Sequence, residues 1–203
     1  MTSIIGLAET GWVPDPIIRV GIRQLVKQRL REELRQPAGT KEARTMALRD
    51  SAIALHTDAA NEQHYEVPTK FFELVLGPRL KYSACVYPDK HATLAQAETH
   101  TLELYKERLS VREGHSVLDL GCGWGSFSLW LAEHHPSVEI TAVSNSATQR
   151  RYIESRIAKL ELINLKVVTA DVNELELPLA AFDRIISVEM FEHVRNYAAL
   201  MSK

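Results

Sequence analysis

The sequence predicts an α/β fold in which a parallel sheet carries crossover helices and follows a helical cap. Two observations support this class. From residue 116 onward, short apolar runs alternate with longer segments of helical periodicity. At 117–126 an apolar run ends in an acid and a glycine-dense turn, as where a buried strand leads into a helix. Right-handed crossovers give the spatial order 3-2-1-4 for strands predicted at 116–120, 138–143, 165–169 and 182–188.

The same pattern predicts two domains. Residues 1–110 form the N-terminal helical cap together with an aromatic-rich connector, and residues 111–203 form the sheet domain. Apolar side chains recur at helical spacing in both parts, which predicts helices at 17–36, 41–55, 93–109, 124–133, 147–160 and from about residue 190.

Composition excludes several classes of protein. The chain has 203 residues and a formal net charge of −2, which gives no overall attraction to nucleic acid. The two cysteines, Cys85 and Cys122, form no zinc-binding spacing, so we predict no metal site and a reducing compartment. The sequence has neither a membrane-spanning apolar run nor the pattern of a signal peptide. We therefore expect a cytoplasmic protein.

The helix predicted at 17–36 is basic and amphipathic. Two interpretations stay open. The helix lies on an anionic membrane surface as a peripheral contact, or it packs on the protein with a solvated basic face. The basic side chains fall at four-residue spacing beside an apolar stripe, and they are Arg19, Arg23, Lys27, Arg31 and Arg35.

The glycine-dense turn predicts a ligand site. Gly121, Gly123 and Gly125 follow Asp119 and precede a helix, whose N-terminus presents free N–H groups to a polar ligand. Ligands of open parallel sheets bind beyond the carboxyl ends of the strands. We therefore expect further site residues in the loops after the other three strands, and the candidates are Ser144, Gln149, Asp171, Val172, Glu189, Glu192 and His193.

The pattern D-x-G-x-G-x-G at Asp119 resembles motif I of class I S-adenosylmethionine-dependent methyltransferases. Further motifs narrow the resemblance to the cyclopropane fatty acid synthase family, which includes the coclaurine N-methyltransferases. In chain order they are HY-x-V near 64, FF at 71, YS-x-C at 82, TLAQAE at 93, DLGCGWG at 119, S-x-S-x-x-Q at 144 and MFEHV at 190.

The resemblance implies a Rossmann-like fold and S-adenosyl-L-methionine as the cofactor. It implies that Tyr82 and Ser83 close over the cofactor and that the glycines pass beneath its methionine part, whose ammonium Asp119 holds. Ser144 and Gln149 then match the ribose contacts, and Asp171 with Val172 matches the adenine pocket. Class I relatives continue to further strands, so the chain is expected to be C-terminally truncated, with a last helix cut at Lys203.

Three functions follow as hypotheses. The first is methyl transfer to a small-molecule amine, because the run at Glu189 is similar to the coclaurine branch. The second is methylene or methyl transfer to an unsaturated lipid, with Glu192 holding a bicarbonate base and Cys85 near it. Ala84 departs from the pattern of that branch. The third is an inactive cofactor-binding fragment.

For the first hypothesis, Glu189, Glu192 and His193 are expected on one face at a helix N-terminus. Two acids and an imidazole there could bind an ammonium substrate and accept its proton. The alternative is purely structural. Acids are favourable at a helix N-terminus in any protein, and the histidine would then be a packing residue.

Overall fold

The computed structural model describes residues 6, 11–35, 39–55 and 68–203. The HY-x-V motif near residue 64 lies outside these residues, as does the whole connector at 56–67. The chain forms two compact units, residues 1–47 and 48–203.

In the first unit, helix α1 spans Asp15–Leu34 and helix α2, which runs into the second unit, spans Thr40–Arg49. Pro16 stands in the first turn of α1, where a missing N–H costs no hydrogen bond. Glu33 pairs with Arg29 at 2.6 Å and with Arg44 at 3.2 Å. No residue of α1 is buried. No helix among the described residues is long and apolar enough to span a membrane.

The second unit is built on a four-stranded parallel sheet in the order β3-β2-β1-β4. The strands are β1 at Ser116–Leu120, β2 at Glu139–Ser144, β3 at Leu165–Thr169 and β4 at Arg184–Ile186. Val117 pairs with Ile140 on one side and with Arg184 on the other. The predicted fold class and strand order are therefore confirmed.

The helices of this unit are α3 at Thr69–Val75, α4 at Leu94–Leu109, α5 at Ser126–His134, α6 at Ala147–Leu160 and α7 at Tyr197–Met201. Helix α5 connects β1 to β2, and α6 connects β2 to β3. Thr93 begins α4 with a capping box to Gln96, and the Ser146 side chain caps α6. Both helices end at a residue in the left-handed conformation, Ser110 and Glu161 respectively.

Successive side chains of β1 point to opposite faces of the sheet and belong to two separate hydrophobic clusters. Val117 packs with Leu131 and Ile153 of the covering helices. Leu118 points to the opposite face, where it packs with Val143, Val194 and others. Because both faces are covered, β1 is apolar at nearly every position, and its one acid, Asp119, is buried with it.

The residues Phe71 and Phe72 belong to α3, which we had not predicted as an element. Phe72 is buried against Trp124, with ring centroids 4.9 Å apart, and Leu80 joins the same cluster. This packing fixes the segment before α4 onto the glycine turn.

Three predicted boundaries are wrong. The helix expected at 41–55 ends at Arg49, because Ser51 donates to Leu48 O and the backbone beyond it pairs elsewhere. Strand β4 is only three residues long, since Ser187 donates its hydroxyl to Leu120 O at its end. The helix expected from residue 190 is a 3-10 turn at Phe191–His193, which is separated from α7 by Val194–Asn196.

Candidate active site

Two cavities lie side by side beyond the carboxyl ends of the strands, each of about 240 Å³. The acidic cavity lies between the segment 80–83, the glycine turn and the turn after β4. The Gln149 cavity lies between the glycine turn and the ends of β2 and β3. Both are lined by Gly121, Gly123, Glu189 and His193. The predicted site therefore consists of two chambers with a shared wall.

The glycine turn forms that wall. Gly121, Gly123 and Gly125 all have positive φ, between 55° and 79°. The N–H groups of Gly121 and Cys122 both donate to Val143 O at 2.9 Å, which ties the turn to the end of β2. Gly125 begins α5, where a Cβ would contact Ile153 of α6. The glycines are thus required by backbone conformation and by close helix packing.

Asp119 lines the acidic cavity and is almost fully buried. Ser128 donates to its carboxylate at 2.6 Å. Burial raises the pKa of Asp119 to about 6, and the Ser128 hydrogen bond partly offsets that rise. A buried acid of this kind gains from a cationic ligand group, which would favour its ionised form.

The Gln149 cavity contains an unused donor. The Ser144 hydroxyl donates to Gln149 Oε1 at 2.7 Å and accepts from Ser146 N at 3.0 Å. This arrangement turns the amide so that Gln149 Nε2 is buried without a partner among the described residues. Since an unsatisfied buried donor is costly, the site fits a ligand with an acceptor at this position, such as a ribose hydroxyl.

The loop after β3 places its two predicted residues differently. Val172 lines the Gln149 cavity, together with Ala170. Asp171 is not among its lining residues, and its Oδ1 accepts from the backbone and side chain of Asn173 at 2.7 and 2.8 Å. The structure therefore gives Asp171 a turn-stabilising role and Val172 a position at the cavity.

The turn after β4 brings the three predicted acceptor residues to the acidic cavity, although not on a helix face. Glu189 has a φ of +52°, a conformation that costs free energy for a residue with a Cβ. Glu192 and His193 follow in the 3-10 turn. All three line the acidic cavity, and all are exposed at its opening. The prediction that they share the N-terminus of an α-helix is wrong.

The segment after His193 does not continue as a helix because it pairs with residues that are distant in sequence. Arg195 N donates to Ile53 O at 2.7 Å, and Val194 forms a β-bridge with Ala54. Asn196 Nδ2 donates to Arg49 O and Ser51 O, while its Oδ1 accepts from Ala199 N and begins α7. The backbone that would continue a helix is instead paired with residues 49–54.

The same pairing adds residues that the sequence analysis did not predict. Ala54 and Leu55 line the Gln149 cavity, and Asn173 holds Ala54 through hydrogen bonds to both its N and its O. No local sequence pattern predicts such a contact, because it joins residues 119 positions apart in the chain. Asn145 and Met190 also line this cavity, and both directly adjoin predicted residues.

The segment before α4 supplies the outer wall of the acidic cavity. Tyr82 and Ser83 line it, with Tyr82 largely exposed. Lys81 also lines it and is buried, with its ammonium donating to Ser83 Oγ at 2.5 Å and Ala84 O at 2.7 Å. From α5, the same cavity is lined by Ser126, whose Oγ is buried without a hydrogen-bond partner among the described residues.

The cysteines are placed differently from each other. Cys122 lines the acidic cavity, and burial raises its pKa well above the ordinary value. Cys85 lines neither cavity, and burial raises its pKa as well. Both thiols are therefore held in their neutral form, and Cys85 stands outside the site suggested for it.

Comparison with known proteins gives a family. The family model described as mycolic acid cyclopropane synthetase matches residues 54–202. An (S)-coclaurine N-methyltransferase of Thalictrum flavum subsp. glaucum is 39% identical over 207 residues, which cover 100% of this chain and 57% of the relative. A cyclopropane-fatty-acyl-phospholipid synthase of Escherichia coli K12 is 34% identical over 138 residues, which cover 67% of this chain and 34% of the relative.

Solved structures agree. A coclaurine N-methyltransferase bound to N-methylheliamine and SAH superposes with a TM-score of 0.81 at 36% identity, over 95% of this chain and 56% of that one. A mycolic acid cyclopropane synthase complexed with SAH and CTAB superposes with a TM-score of 0.60 at 29% identity. The superposition covers 66% of this chain and 46% of that one. This chain thus spans little more than half the length of the coclaurine N-methyltransferases it matches, and less than half of the two cyclopropane synthases.

Proposed function

Since this chain belongs to the mycolic acid cyclopropane synthetase family, we propose that it binds S-adenosyl-L-methionine and transfers its methyl group to a small-molecule amine. The observation that carries the proposal is the pair of adjoining cavities with a shared wall. A cofactor that reaches from one chamber to the other presents its reactive end to a second molecule in the acidic cavity. The matched coclaurine N-methyltransferase structure, bound to N-methylheliamine and SAH, supports this arrangement.

We assign the Gln149 cavity to the adenosine part of the cofactor. Gln149 Nε2 is a buried donor without a protein partner among the described residues, and a ribose oxygen would satisfy it. Ser144 keeps the amide in that orientation, and Val172 supplies an apolar surface for the adenine. At the other end, Asp119 in the acidic cavity would pair with the ammonium of the methionine part.

We assign the acceptor to the acidic cavity. The cofactor supplies an electrophilic methyl group on a sulfonium, and the protein must orient the amine and take up its proton. Glu189 and Glu192 attract an amine by charge, and His193 beside them offers an imidazole that can take up a proton. The N–C bond forms as the S–C bond breaks, and the amine proton passes to one of these groups.

Calorimetric titration tests the cofactor. We expect S-adenosylmethionine to bind the purified chain with a single-site isotherm, and we expect NAD not to bind. The reason is that Gly121-x-Gly123-x-Gly125 lacks the dinucleotide spacing and no acid follows β2. Binding of NAD without binding of S-adenosylmethionine would refute the proposal.

The pH dependence of that binding is a second test. Since the ligand-free pKa of Asp119 is about 6, the carboxylate is ionised at pH 7.5 and becomes protonated below pH 6. The dissociation constant of S-adenosylmethionine should therefore rise as the pH falls through 6, approaching tenfold per pH unit. Titrations between pH 5 and 8 measure it, and Asp119→Asn should remove this dependence. A flat wild-type profile would exclude the ion pair.

In the ligand-free protein, the contribution of Asp119 to the free energy of unfolding should show the opposite trend with pH. Folding raises the pKa of Asp119 from 3.8, so between pH 3.8 and 6 the native state binds more protons than the unfolded state. The contribution of Asp119 to the free energy of unfolding is thus largest below pH 3.8 and falls as the pH rises through 6. As the pH falls, the affinity for S-adenosylmethionine therefore decreases while the contribution of Asp119 to stability increases. A loss of affinity caused by protonation of Asp119 can thus be told apart from a loss caused by acid denaturation.

A second candidate is methylene or methyl transfer to an unsaturated lipid. The observation that favours it is α1, whose apolar side chains, such as Leu25 and Leu34, are exposed beside basic ones. This candidate predicts binding of the chain to anionic vesicles and a requirement for bicarbonate. Cys85, which lines neither cavity, does not support the bicarbonate site. For that reason we place the amine first.

A further inference from the structure

One buried carboxylate in this chain has no role in either cavity. Glu98 lies in α4 with none of its surface exposed, and it lines neither the acidic cavity nor the Gln149 cavity. Burial of an ionised acid is unfavourable unless hydrogen bonds compensate for the lost water. The partners of Glu98 therefore show what the carboxylate does.

Those partners are backbone N–H groups of a single short segment. Arg79 N donates to Glu98 Oε2 at 2.9 Å, and Lys81 N donates to Oε1 at 3.1 Å. Each oxygen thus accepts one charge-assisted hydrogen bond, and the two bonds flank Leu80. Leu80 itself has a φ of +47°, so the carboxylate stabilises a backbone that is otherwise unfavourable.

The residues around the Glu98 carboxylate leave room for it and secure the segment that it binds. A Cβ built on Gly77 would overlap both oxygens and the carboxyl carbon of Glu98. Leu80 N donates to Gly77 O at 2.9 Å, so Gly77 closes the turn that the carboxylate holds. Three residues further along α4, Thr101 accepts from Val86 N at 2.8 Å and secures the far end of the same segment.

The held segment is the outer wall of the acidic cavity. Lys81, directly after the second hydrogen bond, places its ammonium on Ser83 Oγ and 5.0 Å from the centre of the Tyr105 ring. Lys81, Tyr82 and Ser83 all line the cavity. A change at Glu98, which lines neither cavity, would therefore move this wall through the backbone at 79–81.

We propose that Glu98 is a positioning residue, whose buried carboxylate sets the conformation of residues 77–83 and thereby the affinity of the site for S-adenosylmethionine. The inference rests on the proposed function, since the wall it places is the one assigned to close over that cofactor. Glu98 acts through the backbone and contacts neither cofactor nor acceptor.

Two variants change this contact in different ways. Glu98→Gln keeps the shape, but an amide has a single acceptor oxygen for two N–H donors, and its own NH₂ would face one of them. Gly77→Ala keeps the charge and displaces the carboxylate by overlap. Asn164→Ala is the matched control, because buried Asn164 donates to Ala132 O and Val138 O and lines neither cavity of the site.

Two measurements are made on the full chain, amide hydrogen exchange without ligand and calorimetric titration with S-adenosylmethionine. We expect the amides of Arg79 and Lys81 to exchange about tenfold faster in Glu98→Gln and in Gly77→Ala, and the dissociation constant to rise about tenfold, the scale of one charge-assisted hydrogen bond. Asn164→Ala should lower Tm and leave both quantities at the wild-type value.

Unchanged exchange at Arg79 and Lys81 would overturn the inference, as would an equal loss of affinity in Asn164→Ala at a matched loss of Tm. A wild-type chain that binds no S-adenosylmethionine would instead overturn the proposed function, and with it the link from Glu98 to affinity. The exchange data, which need no ligand, keep these two failures distinct.

Discussion

Replacing Glu192 by Gln should lower methyl transfer to an amine by about a hundredfold or more, the usual contribution of a general base or its charged partner, while the affinity for S-adenosylmethionine stays close to wild type. Glu192 lines only the acidic cavity, whereas Glu189 and His193 also line the Gln149 cavity. Glu192 is therefore the member of the three that separates acceptor chemistry from cofactor binding. The substitution keeps the side-chain volume and removes only the charge.

The measurement is single-turnover methyl transfer to an amine chosen by mass-spectrometric screening, with calorimetric titration of the cofactor on the same preparation. Glu107→Gln is the control, because it removes an exposed acid of α4 that lines neither cavity. If Glu192→Gln and Glu107→Gln turned over equally fast, Glu192 would have no part in the reaction. Equal losses of turnover and cofactor affinity would assign Glu192 to the cofactor instead.

The second large effect is expected at Gly121. Its φ is +79°, and a Cβ there would lie 2.7 Å from Met190 Cγ and 2.8 Å from Met190 Cβ. Gly121→Ala combines an unfavourable backbone conformation with displacement of the residue next to Glu189. We expect a loss of roughly 1–3 kcal/mol in the free energy of unfolding and a cofactor affinity lowered more than tenfold, because the shared wall of both cavities moves.

Gly114→Ala isolates the backbone component. Gly114 has a φ of +76°, nearly that of Gly121, and nothing lies within 4 Å of a Cβ built there. Thermal unfolding and cofactor titration of the two variants should show a smaller loss of stability for Gly114→Ala and no loss of affinity. A similar affinity for S-adenosylmethionine in both variants would mean that displacing Met190 does not change the cofactor site.

Local signals in the sequence were sufficient for the sheet. Strand β1 was predicted with its exact boundaries because an apolar run, a buried acid and a glycine-dense turn lie within ten residues. The order 3-2-1-4 followed from the handedness of crossovers, which depends on chain chirality and not on individual contacts. The loops after the strands were predicted as the location of the site because parallel strands all end at one edge of the sheet, and two cavities lie at that edge.

The conformation of the turn after β4 could not be predicted in the same way. Its residues suit a helix by pattern, yet the backbone N–H groups of Arg195 and Asn196 donate to Ile53 O. The Asn196 side chain also donates to Arg49 O and Ser51 O. These partners lie more than 140 residues away in the chain. A preference of a few tenths of a kcal/mol for helix is outweighed by several backbone hydrogen bonds that only the folded chain can form.

The sequence by itself thus determined the fold and the glycine turn, because each depends on short-range patterns of backbone freedom and apolar spacing. Its motifs also resemble those of the family to which the chain belongs. Only the tertiary structure decided how Glu189, Glu192 and His193 reach the acidic cavity, that Asp171 holds a turn, and that Glu98 holds the segment at 77–83. Burial and hydrogen bonding between distant residues decide these points, and no local spacing contains that information.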